Sequence, residues 1–171
     1  MSDTLLYLEL TCEQMGLIQG ESTVAGFKRQ IEIESFKWGM SVGDVKQTVA
    51  GREGSAVHCA PLDLVGYFDL SSVNVMLALK NRDKIKTATL SLIHALQPKD
   101  KPSHLLRLDI SGGYVEDMQF DVESGKAAKL KASLKLSYKQ LVFEYFPAST
   151  DRSSHRTKGI PFQATAREEA S

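Results

Sequence analysis

The chain has 171 residues, of which 42 % are hydrophobic and 25 % charged, and these values fit one domain with a core of ordinary size. Its 21 basic and 21 acidic residues cancel, which excludes a whole-molecule attraction for nucleic acid or anionic lipid. No apolar run approaches the roughly 18 residues of a membrane-spanning helix. Asp3 stands where a signal peptide would be basic. We therefore expect a protein that folds in the cytoplasm, without membrane insertion or a nucleic-acid partner.

The first predicted strand lies close to the start of the chain. Leu6, Leu8 and Leu10 alternate with Tyr7 and Glu9. A period of two places alternate residues on opposite faces of a β-strand. The three leucines therefore form the predicted core face, and the other two residues the solvent face.

The second predicted strand changes its parity part-way along. Ile31 and Ile33 share one face, but after Ser35 the apolar positions become Phe36 and Trp38. One extra residue in a strand, a β-bulge, produces such a change.

One segment departs from the period of two and predicts the helix. From Ser71 to Lys80 the apolar residues follow helical spacing. Asp69, Ser71 and Ser72 are candidate N-terminal caps. Asn81 is the candidate residue for ending the helix in a left-handed conformation.

The second half of the chain predicts further strands. They cover residues 89–95, 106–110 and 118–122, with a turn at Gly112-Gly113. The longest strand signal, over residues 129–146, changes parity near Gln140 and ends at Pro147 because proline cannot donate to a ladder.

These elements predict a mainly β fold. Strands with one solvated face pair in antiparallel fashion, and six or more of them favour a barrel or sandwich. We therefore predict one mainly β domain within residues 1–147, an antiparallel barrel or sandwich with one α-helix at about residues 71–80. Residues 41–55 predict a long loop, and the polar residues 148–171 predict a mobile C-terminal tail.

No residue combination argues for an enzyme, a metal site or a cofactor. His58 and Cys59 are adjacent and would point to opposite faces of a strand. Glu32 and Glu34 fit a solvated strand face better than a catalytic pair. Two cysteines are too few for a disulfide framework. The other histidines have no metal-binding spacing: His94, His104 and His155.

A row of lysines is the most distinctive charged feature. Lys129, Lys131, Lys135 and Lys139 all occupy odd positions, so one strand face would carry four ammonium groups. Such a row protects a sheet against edge-to-edge aggregation. The alternative is a surface that contacts a partner or cargo.

Several sequence elements together resemble one known family. The Gly20-Glu21-Ser22 loop leads to the Ile31-Glu32-Ile33 strand and then to Trp38-Gly39. Residues 65–76, 88–95 and 131–145 extend the match. From about Leu5 to Pro147 the chain resembles the haemolysin-coregulated protein (Hcp) family. It departs from that family at two positions, with Phe27 in place of the usual His and Val73 in place of a Pro that commonly opens the helix.

The resemblance implies a fold and a structural function. The domain would be an antiparallel β-barrel of two packed sheets with one flanking α-helix. Six copies would form a ring, and rings would stack into the tube of a type VI secretion system. The tube lies inside a contractile sheath, carries a spike protein at its tip and is exported with effectors, without a signal peptide. Two alternatives remain open: a ring that carries or protects effectors, with the lysine row lining the hole, and a tail-tube protein of a phage-like injection device.

The predicted long loop is the candidate for contact between stacked rings. Its length and its lack of apolar anchors suggest that it orders against a neighbouring ring. The charged residues proposed for this contact are Asp44, Lys46, Arg52 and Glu53.

Overall fold

The computed structural model describes residues 4–42, 57–67, 69–94, 104–122, 124, 130–146 and 162–163. Within these ranges it contains twelve β-strands and one α-helix. The elements are β1 (Thr4–Cys12), β2 (Gly16–Ile18), β3 (Ile31–Lys37), β4 (Met40–Val42), β5 (Val57–Cys59), β6 (Leu62–Tyr67), α1 (Leu70–Lys80), β7 (Ile85–His94), β8 (His104–Ser111), β9 (Val115–Asp121), β10 (Lys131–Leu136), β11 (Gln140–Tyr145) and β12 (Phe162–Gln163).

Ten of these strands form one antiparallel sheet. Its order is β12-β11-β8-β7-β1-β3-β6-β10-β9, with β2 paired to β1 outside this path. The strands β4 and β5 form a separate two-stranded sheet. The predicted mainly β fold with a single helix is therefore confirmed for the described part of the chain.

The closed barrel of two packed sheets is the part of the expected architecture that needs correction. The strand path is open, with β12 and β9 at its ends. The chain nevertheless connects the two halves of the sheet. Along the chain β8 leads into β9 and β10 leads into β11. In the sheet β8 pairs with β11 and β9 pairs with β10. Backbone hydrogen bonds from Ser137 N to Tyr114 O and from Lys139 N to Ser111 O, both 2.9 Å, bridge the bend. The segments β8–β9 and β10–β11 therefore form one long bent hairpin, and both halves of this hairpin belong to the same ten-stranded sheet.

The core is a single main cluster with a smaller one outside it. Leu6, Leu8 and Leu10 are buried in the main cluster, as their alternation predicts. Tyr7, on the opposite face of β1, is also buried, packed with Phe27 and Ile93. The expected solvent face of β1 is thus partly covered, because the segment between β2 and β3 folds over it.

Local geometry explains how that segment folds. Gly20 N donates to Arg29 O and Arg29 N donates to Ser22 O, each at 2.7 Å. A Cβ at Gly20 would lie 2.5 Å from Gln30 O, so only glycine fits there. The Phe27 ring stacks on Tyr7 with centroids 5.2 Å apart.

Both parity changes correspond to irregularities in the strands. The β3–β6 register shifts between Ile33 and Ser35, which is the predicted bulge. The predicted strand over residues 129–146 is interrupted at residues 137–139, where the bent hairpin turns its corner. In both places the apolar positions keep facing the core although the backbone register changes.

The helix begins as the sequence predicts but ends differently. The Asp69 side chain accepts a hydrogen bond from Ser71 N at 2.9 Å, and Asp69 N donates to Ser72 Oγ at 3.1 Å. At the other end Asn81 has φ −88°, so the prediction that it is left-handed is wrong. Arg82 takes that conformation instead, with φ 50°.

The bonds that end α1 belong to a Schellman motif. Arg82 N donates to Leu79 O at 3.2 Å and Asp83 N donates to Ala78 O at 2.9 Å. Asn81 is the C-cap residue and directly precedes the left-handed Arg82. The left-handed residue therefore lies one position later than predicted.

Candidate functional site

The structure shows where the histidine and cysteines that were considered for catalysis or metal binding lie. His58 is exposed on β5, and the neighbouring Cys59 is partly buried against the main core. Burial, followed by the nearby Asp83 carboxylate, raises the pKa of the Cys12 thiol to about 11. Cys12 is therefore a neutral core thiol at physiological pH. In the described part of the chain, no group of three or more His, Cys, Asp or Glu side chains is placed to hold a metal ion.

His104 packs among aromatic rings. Its ring centroid lies 5.7 Å from that of Phe27 and 5.5 Å from that of Phe146. Burial, and then the positive charge of Arg107, lower its pKa, while Glu144 acts in the opposite direction. Such surroundings favour the neutral imidazole as a packing group.

The lysine row is interleaved with carboxylates. Lys131 and Lys135 are exposed on β10 and Lys139 is exposed at the bend, whereas Lys129 lies outside the described residues. Lys131 Nζ lies 3.4 Å from Glu34 Oε2 on β3.

The neighbouring strands supply further negative charge to this face. Lys135 is directly opposite Asp63 on β6 and Asp117 on β9, and Lys131 is directly opposite Asp121. Residues opposite each other in an antiparallel pair point to the same face. Lys131 and Lys135 are thus part of a charge-balanced surface instead of an isolated cationic stripe.

The small sheet of β4 and β5 contains the two ends of residues 40–59, a segment called the arm from here on. Ser41 is opposite His58 in it, and the chain between the two strands, residues 43–56, lies outside the described residues together with Asp44, Lys46, Arg52 and Glu53. The exposed fractions of Met40 and Val42 are 44 % and 63 %. The base of the arm therefore presents apolar side chains to solvent.

A chain of hydrogen bonds anchors this arm to the main sheet. Trp38 Nε1 donates to Tyr138 Oη at 2.7 Å, and Tyr138 Oη donates to Ala60 O at 2.6 Å. The Trp38 ring also contacts Phe143, with centroids 6.0 Å apart. The Trp38-Gly39 element thus connects the end of β3, the corner of the bent hairpin and the residue after β5.

Two further apolar surfaces are exposed, and sequence reasoning did not identify them. On α1, Leu70, Val73 and Leu77 are 66 %, 52 % and 41 % exposed. The helix turns its small residues inward instead, and its buried residues are Ser71, Ser72, Val75 and Ala78. Around the end of the β9–β10 hairpin the exposed apolar residues are Phe120, Val122 and Leu130.

The helix did carry a signal for its exposed face. Small residues permit close approach to neighbouring elements, and Ser71, Ser72 and Ala78 are three of the four buried residues of α1. The end of the β9–β10 hairpin carries no comparable signal, because alternation alone predicts that Phe120 and Val122 are buried.

Comparison with known proteins identifies the family of this fold. A family model described as "Type VI secretion system effector, Hcp" matches residues 7–145. The chain belongs to the Hcp family. The matched range lies within the residues 5–147 that carry the sequence resemblance, so that prediction is confirmed. Residues after Tyr145 lie outside the match.

Solved Hcp structures share the fold. A double-mutant form of Hcp1 from E. coli EAEC 042 aligns with a TM-score of 0.68 at 15 % identity, covering 82 % of this chain and 91 % of that one. For Hcp1 from Salmonella typhimurium the values are 0.63, 22 %, 82 % and 87 %. For secreted Hcp3 from Pseudomonas aeruginosa they are 0.64, 13 %, 92 % and 94 %. A search of curated proteins found no match.

No helix in the described ranges has both the length and the apolar character needed to cross a membrane.

Proposed function

We propose that this chain is the tube subunit of a type VI secretion system, with six copies in a ring and rings stacked into a tube. The observation that carries this proposal is the Hcp family match over residues 7–145. The fold is consistent with a structural role, because its distinctive surfaces are apolar patches and a balanced charged face.

Ring formation requires two different surfaces on each subunit. A head-to-tail contact closes into a ring only when the rotation between neighbours divides a full turn. The exposed face of α1 and the end of the β9–β10 hairpin are two separate apolar surfaces of the kind that such a contact needs. A spike protein, the contractile sheath and secreted effectors are the further partners in this proposal.

Negative-stain imaging with light scattering of the purified chain tests the ring. We expect six-fold rings with a central hole and a mass six times that of the protomer. A chain that stays monomeric at high concentration would contradict the proposal. Export is tested separately. The chain should be present in the medium of cells with an intact apparatus and absent from the medium of cells without the sheath.

The arm tests stacking separately from ring formation. Deletion of Asp44 to Gly54 should abolish long tubes, because it removes the proposed contact between rings, including Asp44, Lys46, Arg52 and Glu53. The protomer should remain folded, since the main sheet lies outside the deletion. Tubes of unchanged length after the deletion would rule out this role for the arm.

The alternative of an effector carrier depends on the lysine row. Substitution of Lys129, Lys131, Lys135 and Lys139 by serine should leave effector lifetime in the cytoplasm unchanged if the ring is a plain conduit. A marked fall in effector lifetime would instead favour the carrier. We favour the conduit because Lys131 is paired with Glu34 and the row is flanked by carboxylates. The other alternative is a tail-tube protein of a phage-like device. Export that requires the type VI sheath would argue against this alternative.

A further inference from the structure

The two ends of the main sheet differ in how they are protected against other chains. An exposed edge strand presents unpaired N–H and C=O groups, to which another chain can add a strand. At one end of the path, β9 is paired with β10. Its seven residues include Glu116, Asp117 and Asp121. Three carboxylates on one edge repel a second copy of the same edge.

At the other end, β11 lacks comparable charge. Its sequence QLVFEY contains a single charged residue, Glu144. One side of β11 pairs with β8 over all six residues, from Gln140 opposite Ser111 to Tyr145 opposite Leu106. Without another partner, its free side would be an apolar edge of the type that promotes strand addition and aggregation.

The short strand β12 pairs with the first two residues of β11 on that side. Gln163 is opposite Gln140 and Phe162 is opposite Leu141. The strand lies outside the residues 7–145 that match the Hcp family. A segment beyond the matched range thus lies along the edge strand of the described sheet that carries the least charge.

The connection to β12 does not force this pairing. Residues 146–161 separate the two strands along the chain, whereas hairpin loops usually have about 2–5 residues. A connection of this length can extend roughly 50 Å. Because a connection of this length permits many positions for β12, the pairing itself must select this one.

We propose that β12 is an intramolecular cap on the edge of β11, and that it prevents strand addition by a second copy of this chain at that edge. The proposal goes beyond the tube function and does not depend on it, because edge capping follows from strand order and sequence alone. A chain that failed to form rings would still need this edge to be covered.

Disulfide trapping tests whether the cap is intramolecular. Directly opposite residues in an antiparallel pair are close enough for a disulfide. In a Cys59→Ser background, Gln140→Cys with Gln163→Cys should form an intrachain disulfide under mild oxidation, seen as a loss of two hydrogens by mass spectrometry. The matched control is Glu144→Cys with Gln163→Cys, which displaces one cysteine by about 13 Å along the strand and should not cross-link.

Two results of this trapping would overturn the proposal. One is cross-linking between chains instead of within a chain, because β12 would then serve a neighbour. The other is equal cross-linking of the test and control pairs, because β12 would then have no fixed register.

Truncation tests the function of the cap. A chain ending at Pro147 keeps every residue of the buried core and should stay folded by circular dichroism. We expect the backbone amide of Leu141 to exchange roughly tenfold faster than in the full chain. We also expect light scattering to detect species larger than any assembly of the full chain.

A rescue variant shows whether this association uses β11. Val142 lies on β11 opposite Asp109, so Val142→Lys places a charge on the edge beside an acidic partner. Added to the truncated chain, it should return the particle size to that of the full chain. A truncated chain that associates no more than the full chain, or that is unaffected by Val142→Lys, would overturn the cap function.

Discussion

Asp83 connects three parts of the molecule through its own polar atoms. It is 2 % exposed. Its carboxylate oxygens accept hydrogen bonds from Gln14 N and Met15 N, each at 2.9 Å. Its backbone N–H donates to Ala78 O at the end of α1. One residue thus holds the turn between β1 and β2 and closes the helix.

Substitution of Asp83 by alanine should destabilise the fold. The N–H groups of Gln14 and Met15, whose hydrogen bonds to Asp83 are partly buried, would lose their acceptors. The cost is at most about 1–3 kcal/mol each, and less where water replaces the carboxylate. Asp83→Asn is the matched control, because it retains one acceptor oxygen and should cost less. Urea unfolding measures both values. Equal stability of the alanine variant and the parent would contradict this interpretation of the buried carboxylate.

His104 should make the stability of the fold depend on pH. Its pKa in the folded state lies below its ordinary value of 6.5, because of burial and then Arg107. Its contribution to stability is therefore present above pH 6.5 and is lost as the pH falls through the folded-state pKa. We expect the free energy of unfolding to decrease in this acidic range.

His104→Phe provides the comparison. It keeps an aromatic ring between Phe27 and Phe146 but removes the titrating group, so the acid-dependent loss of stability should become smaller. Unfolding free energies measured from pH 7 down to pH 5 test this difference. Identical pH profiles for the two chains would show that other groups cause the loss.

The bent hairpin is the element that shapes the sheet. Its corner lies where β8 leads into β9, and there Gly112 has φ 81°. A Cβ on the neighbouring Gly113 would overlap the carbonyl of Ser137. Ile85 also binds to this corner, since its N–H donates to Gly113 O at 2.7 Å and its C=O accepts from Gly112 N at 3.0 Å. Two glycines therefore permit three segments to meet.

Gly113→Ala should disrupt this corner. The added methyl group forces the backbone of residues 137 and 138 to move, and overpacking of this kind costs about 1–3 kcal/mol. The control is Gly39→Ala, because nothing lies within 4 Å of a Cβ at that position. Thermal unfolding should show a clear loss for the first variant and little change for the second. A similar melting temperature for both would argue against close packing at the corner.

At the scale of the whole molecule, charge and exposed apolar surface favour self-association. The formal net charge is 0 at pH 7, so copies do not repel one another. Most of the exposed apolar residues in the described part of the chain lie on α1, at the hairpin end and at the base of the arm. These features permit extensive contacts between subunits.

Self-association should therefore be stronger at pH 7 than at pH 5. The isoelectric point of the sequence is about 6.9, so the chain gains net positive charge as the pH falls from 7 to 5. Light scattering at equal protein concentration should give smaller particles at pH 5, with circular dichroism confirming that the chain stays folded. Added salt should restore part of the association by screening. Particles of the same size at both pH values would show that net charge does not limit assembly.

Local patterns along the chain were sufficient for most of the longer strands, for the start of the helix and for the family resemblance. The alternation of Leu6, Leu8 and Leu10 reflects the two-residue period of a strand, and the Asp69 cap depends only on residues that are two or three positions away. The bulge after Ile33 was also visible, because one inserted residue changes the parity of the apolar positions. Such features need no information about distant segments.

Contacts between distant segments decided the rest. Tyr7 is buried on its outer face because Phe27 folds over it, and Lys131 is paired with Glu34, which is 97 positions away in the chain. The outward face of α1 and the pairing of β12 with β11 likewise depend on which surfaces meet after folding. Periodicity assigns each side chain to a face of its own element, but only tertiary packing determines whether that face contacts protein or solvent.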